Sequence, residues 1–225
     1  MALILHIETA TPVCSVALGK DGVLLTQKTS SEQNIHSEKL TVFIEEIMQE
    51  CGFYFNMLDA VAVSEGPGSY TGLRIGASVA KGLCYGLEKP LIAIKTLQSM
   101  AYGMSVRYPD ENALYCPMMD ARRMEVYTAL FDFKGHKIEG TTAMIINPLS
   151  FQNVLLQRKV IFAGDGMAKC KEVIESSNAI FFDAFYHSSE WMIPLAEVKW
   201  KAKQFADTAY FEPFYLKEFQ VCSKK

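Results

Sequence analysis

The chain has 225 residues, half of them hydrophobic, enough apolar material for one large core or two small ones. A charged fraction of 21% excludes a disordered chain, and a net charge of −3 with a pI near 5.9 excludes a general electrostatic pull on nucleic-acid phosphates. The six cysteines (Cys14, Cys51, Cys84, Cys116, Cys170, Cys222) form no C-x-x-C pair and most sit in apolar runs, so reduced thiols are expected rather than a disulfide framework. The chain starts on a strand-like run with no leader pattern. No stretch reaches the ~18–20 apolar residues of a membrane helix, so a soluble cytoplasmic protein is expected.

Leu3–Ile7 reads as a strand ending at Glu8. Cys14–Leu18 and Val23–Thr29 flank Lys20-Asp21-Gly22, a hairpin signal. Leu40, Phe43, Ile44, Ile47, Met48 and Cys51 recur every three or four residues and predict an amphipathic helix over 37–51, stopped at Gly52. Asp59–Ser64 reads as a buried strand, followed by a glycine-rich turn and a second helix over 72–87. Leu91–Ile94 reads as a strand and Thr96–Met104 as a helix. The polar break at 108–112 separates a first unit, 1–107, from a second, 108–225.

The second unit restarts the pattern. Leu114–Met119 ends at Asp120, then come Glu125–Phe133, the turn Lys134-Gly135 and a strand near 137–146. A helix near 149–157 and the strand Val160–Ala163 lead to Gly164-Asp165-Gly166, where the first unit has Ser64–Gly68. Repetition of the whole order points to an internal duplication. Three strands, then helix, strand, helix, make a ribonuclease-H-like unit. Two of them make an α/β actin-like (ASKHA) fold with mixed sheets and a shorter second lobe. In that architecture the ligand cleft lies between the lobes, near the strand-end acids Glu8 and Asp120; this is fold analogy and assigns no chemistry.

The segment from Ser64 to Gly76 carries the most information. Gly66 and Gly68 allow a sharp turn, and Ser69 or Thr71 can cap the following helix. Exposed N–H groups there could cradle an anion, or the turn could merely need small residues; spacing leaves both open. With Thr9, beside Glu8, and with Asp165, which reads more readily as a turn residue, these form a candidate cleft: Glu8, Thr9, Gly66, Gly68, Ser69, Asp120 and Asp165. No G-K-[ST] follows the turn, and the glycines miss the dinucleotide spacing by one residue. Gly72, Gly76 and Ala80 stand four apart on one helix ridge beside Leu73, Ala77 and Leu83. Helix glycine costs about 1 kcal/mol relative to alanine. Close packing must offset that, and a subunit interface is favoured over packing inside the chain. Arg74 can meet an anion or a partner's carboxylate.

His6, His36, His136 and His187 include no pair three or four residues apart, so no metal-binding helix is expected. His6 and Glu8 share a strand face, where a hydrogen-bonded pair is favoured over a metal. His36 can cap the first helix or line a surface. Arg122 and Arg123 can face the cleft or pair with acids such as Glu125. No catalytic constellation is defensible from spacing.

GPGSYTGLRIG, Gly66–Gly76, resembles the signature of the TsaB (YeaZ) family. Ile4–Leu18, Leu58–Ser64, Ala80–Leu83, Lys95–Leu97, Asp120–Tyr127, Gly164–Gly166 and Pro213–Leu216 resemble it too, with the match thinner after about residue 130. Glu8 stands where the family leads one to expect Asp. The resemblance implies a non-catalytic dimerisation subunit for synthesis of threonylcarbamoyladenosine beside the tRNA anticodon. Its partners would be a TsaD-like transferase and a TsaE-like ATPase, with tRNA reached only through the complex; alone, such chains can self-associate, and the sequence leaves monomer and homodimer open. No cofactor or metal would be required, ATP or ADP at the complex interface excepted. The family's partner helices map to Leu40, Phe43, Ile44, Ile47, Gly72, Leu73, Arg74, Gly76, Ala77, Ala80 and Leu83. Two alternatives are a small ATP-binding phosphotransferase or ATPase using Glu8, Asp120, Asp165 and the glycine turn, and, more weakly, a glycoprotease-like metallopeptidase.

Overall fold

The computed structural model describes residues 2–32, 35–183, 185 and 187–217; Cys222 lies outside them. The first unit comprises β1 (Leu3–Glu8), β2 (Cys14–Lys20), β3 (Val23–Ser30), α1 (Ile35–Glu50), β4 (Ala60–Gly66), α2 (Tyr70–Leu87), β5 (Leu91–Lys95) and α3 (Thr96–Arg107). The second comprises β6 (Leu114–Asp120), β7 (Glu125–Phe131), β8 (Lys137–Ile145), α4 (Gln152–Leu155), β9 (Val160–Ala163), β10 (Ala179–Phe181) and α5 (Ile193–Lys201).

The sheets run β3-β2-β1-β4-β5 and β8-β7-β6-β9-β10, the same order twice. In each, two antiparallel hairpin pairings are followed by parallel pairings, β1 with β4 and β6 with β9. This is the two-lobed actin-like α/β fold expected from the repeated pattern. Asp21 and Gly22 both have positive φ, the conformation a two-residue hairpin turn requires.

Both faces of β1 are buried, so its apolar run does not alternate with polar residues. Leu3, Leu5 and Ile7 face the core shared with α1 and α2. Ile4 faces Met192 and Ala196 at α5. In the second sheet, Leu114, Cys116 and Met118 pack toward Leu155, Met167 and Cys170, while Tyr115 and Met119 pack against Leu97, Met100 and Met104 of α3. Helices are therefore exchanged between the units. α3, from the first, covers the second sheet, and α5, from the second, covers the first. A division of the chain at 107/108 separates α3 from the sheet it covers. The 189–201 stretch meets α3 through Trp191, whose ring fills the space a Cβ on Gly103 would take, 2.7 Å away. β10 and α5 were not legible in the sequence: β10 has three residues, and the apolar side chains of α5 are too few for a clear period.

Candidate functional site

Ser69 caps α2, its Oγ accepting the Gly72 N–H at 3.2 Å. The Ser69 N–H donates to the Ala10 carbonyl at 2.7 Å. Two N–H groups of the turn are thus satisfied inside the chain rather than offered to an anion. The segment after β1 presses directly on this turn. A Cβ on Gly68 would lie 2.4 Å from the Ala10 carbonyl oxygen, on Gly72 2.1 Å from the Thr9 carbonyl oxygen, and on Gly76 2.2 Å from Thr9 Oγ1. The small-residue ridge, favoured on sequence as a subunit interface, packs inside its own chain, because α2 must pass against the backbone that leaves β1.

Leu73, Ala77 and Ala80 of α2 are buried, as are Leu40, Ile44 and Ile47 of α1. Phe43 and Leu83 are half-buried, and Arg74 is exposed. A second chain approaching these helices would meet Val42, Phe43, Ser78, Gly82, Leu83 and Tyr85 instead. The two outward glycines, Gly82 and Gly86, have nothing within 4 Å of an added Cβ among the described residues. Arg74 is held by its own C-terminal segment. Its guanidinium lies 4.3 Å from the Tyr70 ring centroid, and its Nε donates to the Tyr215 hydroxyl at 3.3 Å. Gly66, at φ +112°, lets that segment run past: the Phe214 N–H donates to the Glu65 carbonyl at 2.7 Å.

The strand-end acids differ. Glu8 is fully buried. Its Oε1 accepts the Ala10 N–H at 2.6 Å, and its Oε2 lies 2.8 Å from His187 Nε2. Asp120 is exposed and held by Lys169, which also donates to the Glu125 carbonyl at 2.7 Å. Asp165 Oδ1 accepts the Asp120 N–H at 3.2 Å, and partial desolvation by the surrounding chain raises its carboxyl above the usual carboxylate range although the residue reaches the surface. Gly164 and Gly166 pack on the end of β6, where a Cβ would lie 2.2 Å from the Met118 carbonyl oxygen and 2.8 Å from the Met119 carbonyl carbon, respectively. Asp165 itself is exposed, in a turn whose two flanking glycines are packed.

His6 and Glu8 share a face but do not bond, because two residues of strand separate them by roughly 6.6 Å. Both His6 ring nitrogens lack partners among the described residues, and burial pushes the imidazole pKa down to about 3. His36 neither caps α1 by its position nor stands free: Nε2 lies 3.0 Å from the Thr11 carbonyl oxygen. Glu125 pairs with Lys217, and Arg122 and Arg123 hold the left-handed turn before it. Ser99 Oγ lies 3.3 Å from His187 Nε2. A Ser-His-acid relay uses opposite ring nitrogens; here serine and glutamate share one, and His187 Nδ1 has no partner among the described residues. Among the described residues no group of three or more His, Cys, Asp or Glu could hold a metal ion, and no helix is long and apolar enough to cross a membrane. His187, Ser99 and Lys169 were not found by sequence reasoning. The only signal was the polar run His187-Ser188-Ser189 ahead of apolar Trp191–Ile193.

The profile of the family described as "TsaD: tRNA N6-adenosine threonylcarbamoyltransferase" matches residues 24–217. A Haemophilus influenzae protein named tRNA threonylcarbamoyladenosine biosynthesis protein TsaB is 30% identical over 99% of this chain and 96% of its own length. The TsaB of Escherichia coli is 29% identical over 95% of this chain and 94% of its own. Among solved structures, YeaZ from Pseudomonas aeruginosa superposes with a TM-score of 0.80 at 24% identity, covering 96% of this chain and all of that one. A Clostridium difficile activator of 2-hydroxyisocaproyl-CoA dehydratase, with ADPNP bound, shares the fold at a TM-score of 0.54 and 10% identity, over 90% of this chain and 97% of that one.

Proposed function

The chain belongs to the TsaB (YeaZ) family, and we propose that it acts in tRNA threonylcarbamoyladenosine synthesis as a non-catalytic subunit that docks a TsaD-like transferase. The outer face of α1 and α2 is the docking surface in this reading. The observation that carries it is the pair Gly82 and Gly86. Both lie on the exposed side of α2 with nothing within 4 Å among the described residues, so no contact among them accounts for helix glycines there. Close approach by another backbone would account for them. Half-buried Phe43, Ile75, Val79 and Leu83 supply apolar area beside them.

The non-catalytic part is supported by Glu8, whose two carboxylate oxygens are both engaged inside the chain and which is closed to a ligand. Net charge supports the indirect route to tRNA, since a chain at −3 lacks the positive surface that phosphate binding uses. The test is calorimetric titration of the TsaD-like transferase with the chain and with Gly82→Arg. The variant should fold as the parent does and lose binding by at least tenfold. A variant that binds with parental affinity removes α2 from the interface.

A further inference from the structure

Glu8 is the acid that, by fold analogy, faces the cleft between the lobes. Here it ends β1 on the face toward the 187–193 segment, the connection that carries the chain from β10 back to the first sheet. Its carboxylate meets His187 at 2.8 Å, with 0% and 2% of the two side chains exposed. Ser99, on the α3 helix that covers the other sheet, touches the same histidine nitrogen at 3.3 Å. The same seam continues in hydroxyl contacts. Ser189 Oγ lies 2.8 Å from Ser15 Oγ, the Ser189 N–H donates to Ser15 Oγ at 3.1 Å, and Ser188 Oγ donates to Gln27 Oε1 at 3.0 Å. β1, β2, β3, the β10–α5 connection and α3 are thereby joined at one buried polar node, where both chain crossings between the sheets converge.

We propose that the Glu8–His187 pair is a lock on the returning chain: the strand-end acid has become a fastening that pins the 187–193 connection to the first sheet and, through Ser99 at the same nitrogen, ties it to α3 over the second. The length of the side chain supports this. Aspartate in place of Glu8 would withdraw the carboxylate by roughly 1.5 Å, one C–C bond, which carries a 2.8 Å contact beyond hydrogen-bond range. The glutamate reaches His187 where aspartate would not. Lifting the connection off β1 would leave two buried polar partners unpaired in the protein interior, where a lost hydrogen bond is far more costly than in water. The inference stands on the node alone and does not depend on the transferase reading.

Hydrogen exchange of the full chain tests it. In His187→Ala the amides of Ala10 and Ser189 should exchange on the order of 100-fold faster, the scale for breaking a buried pair, while those of Leu5 and Met118 in the strand centres change far less. His187→Gln, which offers an amide N–H near Nε2, should recover most of the protection. Uniform acceleration at all four amides would mean a general loss of stability rather than local release of the connection and would overturn the lock, as would unchanged exchange. Should His187→Ala not fold, Glu8→Asp carries the same comparison. Its seam amides should lose protection while the strand centres keep theirs, and parental protection at the seam overturns the proposal.

Discussion

Gly72→Ala and Gly82→Ala add the same methyl group to the same helix with opposite expected results. At Gly82 the new carbon meets nothing within 4 Å. Only the helix propensity changes, a gain of about 1 kcal/mol. At Gly72 the carbon would lie 2.1 Å from the Thr9 carbonyl oxygen. An ordinary carbon–oxygen contact is about 3.3 Å, so α2 and the end of β1 must separate by about an ångström. That oxygen belongs to backbone and cannot rotate away. Overpacking costs about 1–3 kcal/mol, occasionally more; a backbone clash this close belongs at the upper end, and after subtracting the helix gain of about 1 kcal/mol a net loss of about 2 kcal/mol is expected. For a chain of this size about 1 kcal/mol moves the melting midpoint by roughly 2–4 °C. Differential scanning calorimetry should therefore place Gly82→Ala above the parent by a few degrees and Gly72→Ala below it by roughly 4–8 °C. A Gly72→Ala protein that melts at or above the parent, or a Gly82→Ala protein that melts below it, refutes the assignment of inner and outer faces.

Removing either partner of the buried pair, as in Glu8→Ala or His187→Ala, should lower stability in urea by about 3–5 kcal/mol, with the double variant losing much less than the sum; additive losses would show the two do not interact. His6 has a folded pKa of about 3 against 6.5 for the free side chain. The unfolded chain therefore binds the extra proton between those values, and stability falls as pH drops through that window by about 1.4 kcal/mol per unit. His6→Leu should flatten that slope in equilibrium unfolding measured from pH 7 to pH 5, and an unaltered slope would count against it. Burial pushes the thiols of Cys14 and Cys84 up to about 12 and about 11, and that of Cys116 higher still. At pH 8 a thiol reagent should leave all three unmodified until the chain unfolds, and rapid labelling of any of them in the native protein would contradict the packing.

Much of the fold was legible because each sheet is built on two local signals. Asp21-Gly22 and Lys134-Gly135 mark the hairpins, and the apolar runs ending in Glu8 and Asp120 mark the central strands. The sequence could not show which elements cover which sheet. Thr96–Met104 read correctly as a helix, yet its packing on the second sheet depends on residues such as Tyr115 and Ile161 that are distant in the chain. The glycine ridge shows the same limit. Spacing identified Gly72 and Gly76 as positions of close approach, and they are; the neighbour proved to be Thr9 rather than another molecule. The glycines with no neighbour, Gly82 and Gly86, were visible in the sequence but indistinguishable there from the packed ones. Glu8 stood out in the sequence as a strand-end acid of the candidate cleft, not as one half of a buried pair. Its partner lies 179 positions away, beyond the reach of any local pattern.

In the proposed reading, function sits on the outer surface of α2 rather than in the cleft. Reconstituted threonylcarbamoylation of tRNA by the TsaD-like transferase with this chain tests that most directly, comparing Asp120→Asn, which alters the exposed strand-end acid, with Gly82→Arg, which fills the outward gap on α2. The expected result is near-parental modification with Asp120→Asn and loss of at least tenfold with Gly82→Arg. Loss with Asp120→Asn and full activity with Gly82→Arg would contradict the account and return the function to the cleft.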